Sequence, residues 1–230
     1  MESTERLYVR VARRIANLVA TKEVEAGQKL PSERDLADML QVSRPTVREA
    51  MIALEVSGLI EVRVGSGIYV AARPKRTGIV DAGVGPFEIL EMRLVVEPRA
   101  CALAAERITD DQLAELASVY AEMERNDQTP VVESVDRRFH VAIAEATENA
   151  ALASTVDWLW DLRVQSGLSK GFHRLIIDEG VYPALSEHGA ILAALQARDP
   201  DAAQTAMRLH LEAATAAAAQ HFGEAELAKR

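Results

Sequence analysis

Residues Lys29 to Val70 read KLPSERDLADMLQVSRPTVREAMIALEVSGLIEVRVGSGIYV, and this stretch decides how the chain begins to fold. Ser32 followed by Asp35 approximates a capping box, so a short helix starts after Pro31 with Leu36, Ala37 and Leu40 facing inward. The pattern breaks at Gln41-Val42 and restarts with Ser43 as N-cap, and Pro45 is tolerated in the first turn. Gly58 ends that helix. Ile60, Val62 and Val64 then alternate with Glu61 and Arg63, turn at Gly65-Ser66-Gly67 and return through Ile68 and Val70. Alternation, glycine turn and alternation make a β-hairpin.

Upstream, RLYVRVARRIANLVA places Leu7, Val11, Ile15 and Leu18 on one helical face. Three helices followed by a hairpin form a winged helix-turn-helix. The donors of Ser43, Arg44 and Thr46, with Arg34 and Arg48, suit phosphate and guanine in double-stranded DNA, and Gly65 and Gly67 shape a wing beside them.

The rest of the chain reads differently. Residues 73–85, with Pro74, Gly78, Gly83 and Gly85, lack sustained periodicity and read as a linker between a domain at 1–72 and another at 86–230. Beyond it the pattern is helical throughout, with six or seven helices between Pro86 and His221. A capping box spans Thr109 to Gln112, and Thr129-Pro130 and Asp199-Pro200 are helix starts; Gly167, Gly171 and Gly180 punctuate. The expected fold class is mainly α: an N-terminal winged helix-turn-helix plus a C-terminal all-α antiparallel bundle.

Charge divides along the same line. Residues 1–76 hold 13 Lys and Arg against 10 Asp and Glu, whereas the remainder holds 13 against 25. A basic head on an acidic body suits an anion-binding module attached to one that does not meet phosphate. The N-terminus is charged from its second residue, no run approaches a membrane span, and the lone Cys101 fits a reducing compartment; cytoplasmic residence is the expectation.

Within the helical part, VESVDRRFHVAIAEATEN (Val132 to Asn149) carries Val135, Phe139, Ile143 and Ala146 on one stripe, and Asp136 and His140 lie within it, one turn apart. His188 shares an apolar face with Leu185, Ile191, Leu192 and Leu195, and His210 sits with Ala203, Ala206, Met207 and Ala214. One Asp and three His facing a core form an oxygen-and-nitrogen donor set suited to zinc, nickel or manganese, and no sequence feature chooses among them.

The quoted N-terminal stretch, with its P-S-E-R, S-R-x-T-V-R-E-A and G-S-G elements, resembles GntR-family bacterial transcription regulators, although Pro45 stands where many members carry a small polar residue. EMRLVVEPRACALAAERIT, DRRFHVAIAEATENAAL and SEHGAILAALQARDPDAAQTAMRLHLE resemble the FadR subgroup, whose helical effector domain is called FCD. That resemblance implies a divalent metal held by Asp136, His140, His188 and His210. It also implies effector binding through Arg93, with Arg163 and His173 as further candidates; the alternative for Arg93 is an ion pair with Glu97 one turn on. Glu97-Pro98, Trp158 and Trp160 read as packing and helix geometry. Similarity to the hexuronate-responsive repressors of the family implies a sugar-acid effector, with galactonate or lactate as other small carboxylates, and a homodimer reading an inverted-repeat operator. A metal-dependent enzyme is the rival reading, but no general base stands beside the four ligands, since Glu145 faces away.

Overall fold

The computed structural model describes residues 5–21, 23–73, 81–127, 129, 132–182 and 184–222. Residues 74–80 of the expected linker and the helix-starting Pro130 lie outside them. Among the described residues there are ten helices and one two-stranded sheet, so the chain is mainly α, with a winged helix-turn-helix followed by helices. Contacts divide it into two compact units. The first comprises 1–87, 166–173 and 218–230; the second comprises 88–165 and 174–217.

In the first unit, α1 (Leu7–Ala20), α2 (Glu33–Leu40) and α3 (Arg44–Val56) precede β1 (Ile60–Arg63) and β2 (Gly67–Val70). The caps fall where the sequence places them. Ser32 and Asp35 exchange hydrogen bonds as a capping box, and Ser43 accepts from the Thr46 amide. Between the helices Gln41 takes a left-handed conformation, φ 55°, which turns the chain within three residues. The strands pair antiparallel with Ile60 opposite Val70, and Gln28 and Leu30 hydrogen-bond to the far side of β2.

Two expectations about the packed faces are corrected. On α1 the buried residues are Tyr8, Val9, Val11, Ala12 and Ile15, while Leu7 is exposed and Leu18 half-buried. The inward face is therefore rotated by about one residue, because the Tyr8 ring rather than Leu7 fills the interior. On the hairpin, Val64 is 59% exposed, since β1 has ended and the turn carries it outward.

The same unit contains the start of α8 (Gly167–Asp178) and the end of α10 (Pro200–Gln220). Phe172 stacks on Phe222, ring centroids 5.9 Å apart, and meets Phe87 at 5.8 Å. His221 Nε2 lies 2.6 Å from Glu55 on α3, and the other Glu55 oxygen accepts from the Val62 amide. One carboxylate thus ties α3 both to the wing and to the residues after α10. Gly171 does not break its helix as expected: it lies inside α8, where a Cβ would come within 2.9 Å of the Val56 methyls.

The second unit is built from α4 (Pro86–Arg107), α5 (Asp110–Arg125), α6 (Val132–Glu145), α7 (Ala150–Gln165) and α9 (Leu185–Gln196), with the remaining lengths of α8 and α10. Thr109 and Gln112 form the expected capping box. Asp199 Oδ1 accepts from the amides of Asp201 and Ala202, starting α10 in the same manner. Phe139, Ile143, Leu116, Met123, Ile191, Leu195, Met207 and Leu211 fill its core. No helix among the described residues is long and apolar enough to cross a membrane.

Candidate functional site

Three helices aim four polar side chains into the core of the second unit. Asp136 and His140 project from α6, His188 from α9 and His210 from α10, and all four are at least 96% buried. Each offers one ligand atom, and those atoms lie within 4.8 Å of one another. The four residues singled out by sequence therefore converge, although 74 positions separate Asp136 from His210. The apolar stripes put each on an inward face, and helix packing brings the faces together.

The ring orientations are more telling than the proximity. His140 Nδ1 lies 2.7 Å from Glu97 Oε2, His188 Nδ1 3.0 Å from the Ala184 carbonyl, and His210 Nδ1 2.9 Å from Glu187 Oε2. Those partners are acceptors, so each Nδ1 is the natural bearer of a hydrogen and each Nε2 is left for the centre. His188 Nε2 lies 2.9 Å from Asp136 Oδ1. His140 Nε2 is 3.4 Å from the same oxygen, buried and without a hydrogen-bond partner. An orphaned buried imidazole nitrogen is costly unless something binds it. A divalent ion accepts such a lone pair, and three imidazoles with one carboxylate are a fitting donor set.

The electrostatics of Asp136 and His210 agree with the geometry, whereas those of His140 favour a proton that an ion would have to displace. Burial pushes the Asp136 carboxyl up, but the neighbouring His140 and His188 imidazoles outweigh it and hold the group well below the ordinary carboxylate range. Burial opposes Glu97 ionising too, yet Arg93 and His140 bring it down to about 2. Burial favours neutral His140, but the Glu97 charge prevails and raises it. His210 goes the other way, down to about 4, because burial outweighs Glu187. A neutral imidazole and an ionised carboxylate are the forms that coordinate metal.

Around this cluster the second unit gathers cations on an aromatic floor. Trp160 sits 5.3 Å from the His140 ring, with the Arg93 guanidinium 4.2 Å and that of Arg163 4.9 Å from its centroid. Arg93 is held by Glu97, Nε to Oε1 at 2.6 Å and Nη2 to Oε2 at 3.3 Å, so the ion pair one turn along α4 is present. Arg163 approaches Glu133 at 3.6 Å and Asp136 at 3.9 Å. His173 lies on α8 in the first unit, not among the residues of the second unit that form this cluster. Glu97 and Trp160, assigned by sequence to packing and helix geometry, border the cluster directly; Glu187 carried no signal beyond being adjacent to His188.

In the first unit, Arg34 is exposed on α2, and Ser43 and Arg44 are exposed at the N-terminus of α3 with Thr46 half-buried beside them. Ser43 and Thr46 hydroxyls lie 2.8 Å apart. Arg48 differs: it is 7% exposed, places Nε and Nη2 each 3.1 Å from Glu33, and lies over the Phe87 ring at 4.8 Å. Arg44 Nε reaches the same Glu33 at 3.4 Å, so one carboxylate at the start of α2 aligns two arginines of α3. Gly65 and Gly67, at φ 72° and 119°, take left-handed conformations at the wing tip that other residues rarely adopt.

Comparison with known proteins converges on one family. Residues 7–70 match the model of bacterial regulatory proteins of the gntR family, and residues 88–213 match the FCD domain. The chain is 38% identical over 220 residues to the Exu regulon transcriptional regulator of Escherichia coli (strain K12), covering 92% of this chain and 85% of that protein. It is 37% identical to the Uxu operon transcriptional regulator of the same organism, covering 91% and 86%. In fold it is similar to a GntR-family transcriptional regulator from Pseudomonas syringae, with TM-score 0.51, 22% identity and coverage of 94% and 85%. These relatives are transcriptional regulators and not enzymes. With a winged helix-turn-helix at its head and an FCD domain carrying a buried Asp and three His, the chain belongs to the GntR family of DNA-binding transcriptional regulators.

Proposed function

We propose that the protein is a homodimeric repressor of sugar-acid catabolism that releases its operator when a hexuronate binds at a metal in the FCD domain. The observation that carries the metal reading is the convergence of four buried ligand atoms within 4.8 Å, one of them an imidazole nitrogen with no hydrogen-bond partner. Asp136, His140, His188 and His210 would hold the ion, with zinc the leading candidate and nickel or manganese the alternatives. The ion would supply a Lewis-acidic point at which an effector carboxylate and adjacent hydroxyl could chelate. Arg93 and Arg163, on either account cations beside Trp160, favour an anion there. The Exu and Uxu names of relatives 37–38% identical support the hexuronate class.

On the DNA side, Arg34, Ser43, Arg44 and Thr46 with the Gly65–Gly67 wing would read one half of an inverted repeat, Arg48 would hold α3 to α2 through Glu33 rather than meet DNA, and a two-fold dimer would read both halves. Effector binding would change operator affinity by roughly 5–150-fold, the usual span of allosteric coupling. A mobility-shift titration on zinc-loaded protein tests the effector class. Glucuronate or galacturonate should weaken the operator complex; a response to galactonate or lactate alone would reassign the effector, and no response to any would remove the class. His188→Ala with His210→Ala should abolish bound metal in elemental analysis, and full metal retention would overturn the site.

A further inference from the structure

We infer that Glu97 and Glu187 are positioning residues of the metal centre, fixing the tautomers of His140 and His210 so that each presents Nε2 to the ion. The inference rests on the metal reading above and deepens it. An imidazole offers a metal whichever nitrogen lacks a hydrogen, and in water the two neutral tautomers interchange freely. Here the choice is made from outside the cluster. Glu97 Oε2 stands 2.7 Å from His140 Nδ1, and Glu187 Oε2 stands 2.9 Å from His210 Nδ1. A carboxylate only accepts, so the hydrogen stays on Nδ1 and the lone pair turns inward. His188 receives the same treatment from a main-chain carbonyl, Ala184 O at 3.0 Å. All three rings therefore present the same nitrogen, by three separate devices, one on α4, one on α9 and one at the N-cap of α9.

Glu97 has a second attachment. Its carboxylate is gripped by Arg93 through Nε and Nη2, and Arg93 in turn covers Trp160. The guanidinium orients the carboxylate, and the carboxylate orients the imidazole. Arg93 is thereby connected to the centre through Glu97 and His140. An anion that drew Arg93 away would loosen the hold on His140, so effector and metal would feel one another through this chain of contacts. Glu187, 31% exposed in its side chain, has no comparable clamp among the described residues, and its role is toward His210.

The test uses full-length protein stripped with chelator and reloaded with Zn2+ as the only probe. Long-range 1H–15N NMR of the histidine rings reads the tautomers, and competition with a zinc chelator reads affinity. In wild type, His140 and His210 should carry hydrogen on Nδ1 and bind zinc through Nε2. Glu97→Gln should weaken zinc binding about 10–100-fold and scramble the His140 pattern while leaving His210 unchanged; Glu187→Gln should do the reverse. A general loss of packing would move both rings alike. Glu97 is buried, so if Glu97→Gln fails to fold, the half-exposed Glu187→Gln decides whether an outer carboxylate sets the tautomer. Zinc affinity and ring signals unchanged in Glu187→Gln, or in a folded Glu97→Gln, would overturn the inference with the metal reading intact. A wild type that takes up no zinc would remove the metal reading itself.

Discussion

Glu33 is a buried carboxylate whose removal should cost the DNA-reading unit as much as a core truncation. It stands first in α2 and accepts two hydrogen bonds at 3.1 Å from Arg48 on α3, with both side chains 7–8% exposed. Removing one partner of a buried ion pair strands the other charge and costs about 3–5 kcal/mol. Two features lower that figure here. The Phe87 ring under the guanidinium returns about 0.5–2 kcal/mol, and the residual exposure lets some water in. Glu33→Leu is therefore expected to destabilise by about 3 kcal/mol, including roughly 0.3–1 kcal/mol for a carboxylate lost from a helix N-terminus. A double-mutant cycle separates these contributions, because the helix-end effect belongs to Glu33 alone and cancels. Arg48→Met should cost a similar amount, whereas the pair Glu33→Leu with Arg48→Met should sit within about 1 kcal/mol of wild type. Urea denaturation followed by helical circular dichroism measures all four proteins. Strict additivity of the two single changes, within about 0.5 kcal/mol, would refute the claim that this pair acts as a unit.

Three further outcomes follow from single side chains. Cys101 is wholly buried and burial, with the Glu97 charge, pushes its thiol up to about 12; folded protein at pH 8 should resist a disulfide reagent such as DTNB and react with one equivalent only when unfolded. Stoichiometric labelling of the native form within minutes would contradict that burial. Tyr8 is raised to about 12 by burial and the nearby Asp81 carboxylate, whereas an unfolded tyrosine ionises near 10. The raised value means its contribution is complete below pH 10 and is lost as pH climbs from 10 to 12. Wild type should thus lose about 1–2 kcal/mol more than Tyr8→Phe across that window in denaturant titrations, and parallel pH profiles would count against it. Gly83 sits at φ 105° with Ser166 Oγ 2.8 Å from where a Cβ would stand and its backbone Cα at 3.3 Å. Gly83→Ala should cost about 1–2 kcal/mol, a fall of roughly 2–8 °C in Tm by calorimetry; an unchanged Tm would show that the loop accommodates a side chain.

What the sequence makes legible is whatever depends on neighbours within a helical turn or two. Ser32 with Asp35, Ser43 before Pro45 and Thr109 with Gln112 announce helix starts because capping is a contact over three residues. Asp136 and His140 reveal themselves for the same reason: four residues on a helix is one face, and a carboxylate among aliphatic residues asks for a partner. His188 and His210 are legible less directly, through the apolar company on their own helices. The partners of those imidazoles are not legible at all. Glu97 displays its ion pair with Arg93, also four residues apart, and that local explanation hides any other. Its second bond, to His140, spans 43 positions and depends on how α4 meets α6. Arg48 is obscured in the same way: from its place in the recognition helix it reads as a DNA contact, whereas its burial comes from Glu33, 15 residues earlier and on another helix. Gly171 shows the limit from the other side. A glycine reads as a break where nothing local requires one, and only the approach of Val56, more than a hundred residues earlier, explains a missing Cβ inside a continuous helix. Local chemistry thus sets the elements and marks which residues face inward. Which inward residues answer one another is decided by helix packing, and the outer carboxylates that orient the metal ligands belong to that second class.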